Sequence, residues 1–177
     1  MSVAVRVLTP EPLTAAAFAG FGDVVATGEA HELINRGTAR QYADLAQIDI
    51  AAGGGRPRIS IYRAVPFELP LPIVMLERHP LSSQLFMPLH GEPFLIVVAP
   101  AGNRVDASAV RAFVTNGRQG INYPRGTWHH PLIALLDPSE FLVVDRAGHG
   151  KNCDEFFFES REIVLQPAAP VTATREP

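Results

Sequence analysis

The chain contains little cysteine, lysine or charge, and each shortage excludes a class of protein. Only one of its 177 residues is a cysteine, Cys153, which excludes an intrachain disulfide framework and a thiolate zinc cluster. Charged residues make up 19% of the chain, and the net charge is -3 at pH 7. Because lysine is nearly absent and the arginines do not cluster, we expect no basic face for nucleic acid.

Long hydrophobic runs are absent as well. The longest, residues 94–101, contains Pro100 and is far shorter than the roughly 20 residues that a membrane span needs. The apolar run near Met1 is interrupted by Arg6 and two prolines, so we do not expect a signal peptide. Since 47% of the residues are hydrophobic, a packed core is nevertheless expected. These features predict a soluble, cytoplasmic protein with no membrane partner.

Signals for helices are scarce, whereas signals for strands recur along the chain. Thr14 can cap a short helix built on three alanines and stopped by Gly20, and residues 106–110 can form one helical turn. A further strand candidate covers residues 3–8, whose edge could pair with a partner subunit. Short runs rich in Val, Ile, Phe and Leu predict strands at residues 23–26, 46–50, 59–64, 74–76, 85–87, 94–99, 110–114, 120–123, 132–136, 141–145 and 153–158.

Many short strands with one or two short helices predict an all-β fold, either a barrel or a double-sheet jelly roll. We find no internal repeat and no linker that would divide the chain, so residues 1–177 are expected to form a single domain. Residues 167–177 contain three prolines and are expected to be a frayed tail.

Histidines and carboxylates concentrate in two segments. In the first, residues two apart on a strand point to the same side, so Glu77 and His79 can face one cavity, and Gln84 can return to it from the next strand. In the second, a Pro-x-Gly turn precedes Trp128 and His129. Alternation predicts that the neighbouring His130 faces the opposite side.

The spacing in these two segments resembles the two motifs of the cupin superfamily. Glu77-x-His79, four residues, Gln84, six residues and Gly91 keep the first motif's spacing, with Glu in place of its first His and Gln in place of its Glu. Residues 124–129, Pro-Arg-Gly-Thr-Trp-His, match the second motif, although Ile133 stands where that motif has Asn. The resemblance implies a cupin-like jelly-roll β-barrel, which usually holds a divalent metal.

A candidate metal site is formed by the same residues. Glu77, His79, Gln84 and His129 offer two imidazole nitrogens and two oxygens, a set that suits nickel, manganese, iron or zinc better than calcium. We expect nickel first, with manganese or zinc as alternatives. An enzyme without a metal is the remaining alternative, because Gln is a weak neutral ligand.

A closer resemblance extends over almost the whole chain. Five segments together are similar to the ureidoglycolate lyase family: residues 34–37 (Ile-Asn-Arg-Gly), 76–81 (Leu-Glu-Arg-His-Pro-Leu), 111–117 (Arg-Ala-Phe-Val-Thr-Asn-Gly), 120–123 (Gly-Ile-Asn-Tyr) and 128–132 (Trp-His-His-Pro-Leu). This resemblance implies a cytoplasmic homodimer that releases urea and glyoxylate from (S)-ureidoglycolate in allantoin, and thus purine, catabolism.

That reaction requires a carboxylate anchor, a base for the carbinol hydroxyl and an acid for the departing urea. We expect Arg63, which lies on the same side of its strand as Ile61, to bind the substrate carboxylate. His79 or His129 would take the hydroxyl proton, directly or through a metal, and Tyr123 or Glu77 would protonate the leaving nitrogen. The remaining candidates for substrate binding are Gln84, Asn122 and Trp128.

Two other functions are compatible with the same motifs. A non-catalytic cupin that senses a small carboxylate would share Arg63 and an aromatic wall, but it would not need paired acid and base residues. Another metal-dependent cupin enzyme, such as an isomerase or a dioxygenase, is suggested by the fold alone. The altered Glu and Gln ligands disfavour a dioxygenase, which needs three firm ligands and open iron positions.

Overall fold

The computed structural model describes residues 5–159 and 162–167, and the regular secondary structure of these residues is mainly short strands. Their one α-helix is α1, Ala15–Phe18, and single 3-10 turns lie at Asn35–Gly37, Ala52–Gly54 and Ala107–Ala109. The strands are β1 Arg6–Leu8, β2 Glu11–Pro12, β3 Asp23–Val25, β4 Glu32–Ile34, β5 Ala39–Gln41, β6 Arg56–Ala64, β7 Leu71–Pro72, β8 Met75–Arg78, β9 Gln84–Pro88, β10 Phe94–Ala99, β11 Arg111–Val114, β12 Gly120–Tyr123, β13 Trp128–His129, β14 Ile133–Ala134, β15 Ser139–Ala147, β16 Asp154–Phe157 and β17 Ile163–Leu165.

Two larger sheets pack face to face. Sheet I has the order β16-β8-β13-β10-β11-β2, with β14 also pairing with β10, and sheet II has the order β3-β12-β9-β15-β6. The core between them contains Ile96, Val98 and Phe113 from sheet I and Phe86 and Val143 from sheet II. The all-β, jelly-roll expectation is confirmed by this two-sheet arrangement.

A small third sheet, β1-β17-β7, covers the other side of sheet I. Leu95 and Val97 on β10 pack into this second core with Ile163 and Leu165 of β17, whereas Ile96 and Val98 face sheet II. Both faces of β10 are therefore buried, which explains its unbroken apolar sequence.

The first strand is paired within its own chain. β1 runs parallel to β17 with Arg6 opposite Ile163, and this pairing covers the apolar outer side of sheet I, because Leu8 and Leu165 are buried in the second core. β1 is the end strand of this sheet, so the pairing of its other edge with a partner subunit stays a prediction.

Several local predictions can be compared with the structure. The hydroxyl of Thr14 accepts a hydrogen bond from the Ala17 amide, and a helical turn begins after Asp106, so both helix predictions are confirmed. The strand predicted at residues 46–50 is wrong. The frayed tail was predicted for residues 167–177, and residues 168–177 lie outside the described residues. The single domain stays a prediction. Among the described residues, no helix is long and apolar enough to cross a membrane.

Candidate active site

A cavity of about 880 Å³ opens between the two large sheets. β6, β8, β9 and β15 supply part of its wall, and the chain from Gly148 to Cys153 closes one side. Its lining includes Glu77, His79 and Gln84 of the first sequence motif, together with Cys153. The cavity is large enough for a small polar organic molecule.

Two residues of the cavity wall, Glu77 and His79, meet the buried His129, and we refer to these three residues as the Glu-His-His cluster. One carboxylate oxygen and one imidazole nitrogen from each histidine all lie within 4.8 Å of one another. Oε1 of Glu77 is 3.6 Å from Nε2 of His129 and 4.0 Å from Nε2 of His79. Strand pairing produces this arrangement, because His129 on β13 lies directly opposite Glu77 on β8.

Backbone carbonyls fix the orientation of both imidazole rings. Nδ1 of His79 is 2.6 Å from the Asn152 carbonyl oxygen, and Nδ1 of His129 is 3.0 Å from that of Thr127. When these Nδ1 atoms donate, each Nε2 keeps a lone pair directed at the cluster. Nε2 of His129 is buried and has no hydrogen-bond partner within the described residues. Such an orphaned nitrogen is what a metal ion would satisfy.

Gln84 supplies a fourth polar group beside the cluster. It is the first residue of β9, and its Oε1 lies 3.0 Å from Nε2 of His79. The donor set expected for a metal, two nitrogens and two oxygens, is therefore brought together. The residues present fit a divalent ion of the first transition row.

Glu77 remains ionised at neutral pH. Burial acts to raise the pKa of its carboxyl group, but the electrostatic interactions with the nearby His129 and His79 outweigh burial and hold the pKa below its ordinary value. The Cys153 thiol lies 3.7 Å from Oε2 of Glu77 and donates to it. Burial, and then the Glu77 charge, raise the pKa of Cys153 to about 11, so this thiol stays protonated and is a poor nucleophile.

Tyr123 lies behind the cluster. Its ring stacks on His129 with the centroids 4.2 Å apart, and its side chain belongs to the core between the sheets. Burial raises the pKa of its hydroxyl far above the ordinary value. The tyrosine that lines the cavity is instead Tyr62 on β6, which the sequence motifs do not single out. Burial is the main cause that raises the pKa of the Tyr62 hydroxyl, and the charge of Asp145 is the second cause.

Arg63 and Arg58 lie on opposite faces of β6. Arg63 borders the cavity, but its side chain is 74% exposed and binds Glu140 across the strand pair. Arg58 is on the face that also carries Tyr62, and it binds Asp145 through two hydrogen bonds. The alternation of β6 would have identified Arg58 if the inner face had been known.

Asn122 and Trp128 are held away from the cluster by the alternation of their strands. The Asn122 amide is fully buried and donates to the Asp23 carboxylate and the Gln47 carbonyl. The Trp128 indole packs in the core beneath the third sheet and donates to the Gly102 carbonyl. Tyr123 follows Asn122 on β12 and faces the opposite side of the strand. His129 follows Trp128 on β13 in the same way.

The sequence was compared with known families and proteins. It matches the family model described as Ureidoglycolate lyase over residues 5–166. A protein named ureidoglycolate lyase from Stutzerimonas stutzeri (strain A1501) is 54% identical over 164 residues, which cover 92% of this chain and 96% of that protein. One of the same name from Burkholderia mallei (strain NCTC 10229) is 56% identical over 151 residues, covering 85% and 88%.

The solved structures to which the chain is similar include that of RmlC from Streptococcus suis in complex with dTDP-D-xylose. The TM-score is 0.43 at 16% sequence identity, with 85% of this chain and 74% of that chain covered. A likeness at this TM-score supports no conclusion about function.

Proposed function

The chain belongs to the ureidoglycolate lyase family, and from this premise we propose that its cavity cleaves ureidoglycolate into urea and glyoxylate. The reaction breaks the bond between the carbinol carbon and the ureido nitrogen, and the hydroxyl becomes the aldehyde of glyoxylate. The chain is then a carbon–nitrogen lyase of the amidine-lyase type in allantoin degradation. We place this reaction in the cytoplasm and take the (S)-enantiomer as its substrate.

The observation that carries this proposal is the convergence of the Glu-His-His cluster at a cavity of small-molecule size. Its two histidines have their Nδ1 atoms engaged, and the Nε2 of His129 lacks a partner among the described residues. A hydroxy acid placed there would bring its hydroxyl to ionised Glu77, where proton removal begins the elimination.

We propose that the cluster and Gln84 hold a divalent metal, with nickel as the first choice and manganese or zinc as alternatives. The orphaned Nε2 of His129 and the carbonyl-fixed rings support a bound ion. A bound ion would supply Lewis acidity that lowers the pKa of the substrate hydroxyl.

The protons are moved by this chain's own side chains. Glu77 accepts the hydroxyl proton at Oε2, the oxygen that faces Cys153 rather than the histidines. The leaving ureido nitrogen receives a proton from the Tyr62 hydroxyl, which lines the cavity. Because the pKa of Tyr62 is raised, this hydroxyl is protonated and available as a donor at neutral pH. Tyr62 thus takes the role that the sequence suggested for Tyr123.

The substrate's negative charge requires an attracting cation, and Arg146 meets this requirement better than Arg63. Arg146 lines the cavity, is 5% exposed and donates to the carbonyls of Ala52, Gly53 and His149. No carboxylate of the described residues pairs with it, whereas Arg63 is neutralised by Glu140. A side chain at position 55 would collide with Nε of Arg146, so the glycine there leaves the space that the guanidinium occupies.

We also propose that the protein is a homodimer and that the outer face of sheet II forms the interface. Two cross-strand rows make this face apolar: Ile59, Val144 and Leu85 in one, and Ile61, Leu142 and Met87 in the other. Ile59 is 72% exposed and Ile61 55%. Whereas the third sheet covers sheet I, no sheet of the described residues covers this face.

A second copy fits this face better than an unrelated partner does. β6 is a nine-residue edge strand that pairs on one side with β15, and within the described residues no strand pairs with its other edge. Two copies related by a two-fold axis can pack these outer faces against each other, which would bury the apolar rows of both and place the free edges of β6 at the interface. The interface would also protect β6 from uncontrolled edge pairing.

Metal dependence tests the proposed site. We expect the chelated protein to turn over ureidoglycolate at least about tenfold more slowly than the same protein supplied with nickel, manganese or zinc, because the ion activates the hydroxyl. Calorimetric titration of the chelated protein with each metal checks binding independently of turnover. The variant Gln84→Ala is expected to bind the metal more weakly and to remain folded. Full activity in chelator together with no measurable metal binding would contradict the metal site.

A further inference from the structure

A paired arginine and aspartate form the wall of the cavity on sheet II. Arg58 lies opposite Asp145 in the strand register, with Nε 2.8 Å from Oδ1 and Nη2 2.7 Å from Oδ2. The Asp145 side chain is 7% exposed, while the Arg58 side chain in front of it is 51% exposed. Asp145 therefore holds the guanidinium from behind and leaves its other side open to the cavity.

The charge of this pair makes it a poor anchor for a carboxylate. A guanidinium bound to a carboxylate through two hydrogen bonds has almost no net charge to attract an anion from solution. One terminal nitrogen, Nη1, nevertheless has no hydrogen-bond partner within the described residues, and its position is fixed by the other two nitrogens. Such a group is an oriented hydrogen-bond donor for a neutral acceptor.

The pair and the Glu-His-His cluster can contact one small molecule. Arg58, Ser60 and Tyr62 follow one another on the same face of β6. Tyr62 lines the same cavity as the pair. Arg58, Asp145, Glu77 and His79 line this cavity too. One molecule bound in the cavity can therefore lie between the pair and the cluster.

We propose that Arg58, held by Asp145, binds the ureido carbonyl of the substrate and selects ureido compounds over other hydroxy acids. This inference rests on the proposed function and names the part of the substrate that sheet II recognises. The ureido group is neutral and planar, and its carbonyl oxygen accepts hydrogen bonds, which suits an oriented donor without net charge.

The same contact assists the bond cleavage. When the hydroxyl proton leaves, the carbon–oxygen double bond forms and the carbon–nitrogen bond breaks, so its electron pair passes to the ureido nitrogen and is shared with the ureido oxygen. A proton then returns to that nitrogen to complete urea. Arg58 binds the oxygen more strongly as this charge grows, so its loss is expected to lower kcat as well as raise KM.

The experiment compares Arg58→Lys with Arg63→Lys. Both arginines lie on β6 and both bind a carboxylate across the strand pair, but Arg63 faces outward to Glu140. Lysine retains the charge opposite Asp145 and so limits damage to folding, yet it cannot keep two bonds to Asp145 while presenting a third donor. Thermal unfolding of both variants checks that they are folded.

Two probes separate ureido binding from carboxylate binding, and calorimetry measures both without turnover. N-carbamoylglycine has the ureido group and carboxylate but no hydroxyl, and glycolate has the carboxylate and hydroxyl but no ureido group. For Arg58→Lys we expect the Kd of N-carbamoylglycine to rise roughly 10- to 100-fold and that of glycolate to change less than about twofold. For Arg63→Lys we expect neither Kd to change.

Three results would overturn the inference. Equal weakening of both probes would make Arg58 a carboxylate anchor, and no weakening of either would remove it from the site. Equal effects of the two lysine variants would indicate a general effect on sheet II. A wild-type protein that binds N-carbamoylglycine but never cleaves ureidoglycolate contradicts the proposed function, and the two Kd values still decide the role of Arg58.

Discussion

Replacing His129 by alanine is expected to lower kcat/KM for ureidoglycolate by roughly 1000-fold. The Nε2 of His129 is buried, lies 3.6 Å from Glu77 and has no other partner in the described part of the chain. Its loss removes a proposed metal ligand and the imidazole whose interaction with Glu77 helps to keep the pKa of that carboxyl low. The Tyr123 ring would also lose the imidazole on which it stacks.

His130→Ala is the matched control for this prediction. His130 is adjacent in sequence and similarly buried, but its Nδ1 bonds the Pro131 carbonyl and its ring contacts Phe67. We expect this variant to lose some stability and less than about tenfold in kcat/KM. Steady-state kinetics with unfolding curves measures both variants. A folded His129→Ala protein with more than a tenth of the wild-type activity would contradict the role of the cluster.

The double variant Ile59→Asp, Ile61→Asp is expected to be a monomer. Both isoleucines are on the outer face of β6, where burial against a second copy would make each charge costly to desolvate. Because the two positions are already exposed within one chain, the fold itself should tolerate aspartate there. Light scattering after size exclusion should give twice the chain mass of 19.2 kDa for the wild type and that mass for the variant.

Leu33→Asp is the control for the interface. Leu33 is 64% exposed on β4, in the separate β4-β5 hairpin, so the same change of chemistry falls outside the apolar rows of sheet II. This variant is expected to keep the wild-type mass. A wild-type protein that is monomeric at micromolar concentration, or a double variant that stays dimeric, would show that this face is not the interface.

Strands buried on both faces were the easiest elements to predict. The expected residues 94–99 coincide with β10, because a continuous apolar run between turn residues has few other solutions, and the expected residues 120–123 coincide with β12. The segment 46–50, Ala-Gln-Ile-Asp-Ile, alternates apolar and polar residues as a strand does, but it forms no ladder. Asp49 instead exchanges hydrogen bonds with Ser83, its amide bonding the hydroxyl and its carbonyl the Ser83 amide. An attachment to a residue 34 positions away cannot be predicted from the alternation of the segment itself.

Among the residues of the candidate site, only those that the spacing of the two sequence motifs indicates could be predicted from the sequence. Glu77, His79, Gln84 and His129 are indicated by motif spacing, and the structure brings all four together. Arg63 was chosen because it shares a face with Ile61, on the usual assumption that the apolar face of a strand is the inner one. Ile61 is exposed, so the assumption fails on β6, whose apolar face is the outer one and whose inner face carries Arg58 and Tyr62. A polar cavity on the inner side thus reverses the expected face.

The central claim, cleavage of ureidoglycolate at the Glu-His-His cluster, is tested most directly by measuring the products from racemic ureidoglycolate. Urea, glyoxylate and ammonia are quantified over time with the purified, metal-supplied protein and with a buffer control for spontaneous breakdown. We predict urea and glyoxylate in equal amounts, from one enantiomer only and well above the control. A rate equal to the control with every metal, or ammonia in place of urea, would contradict the claim.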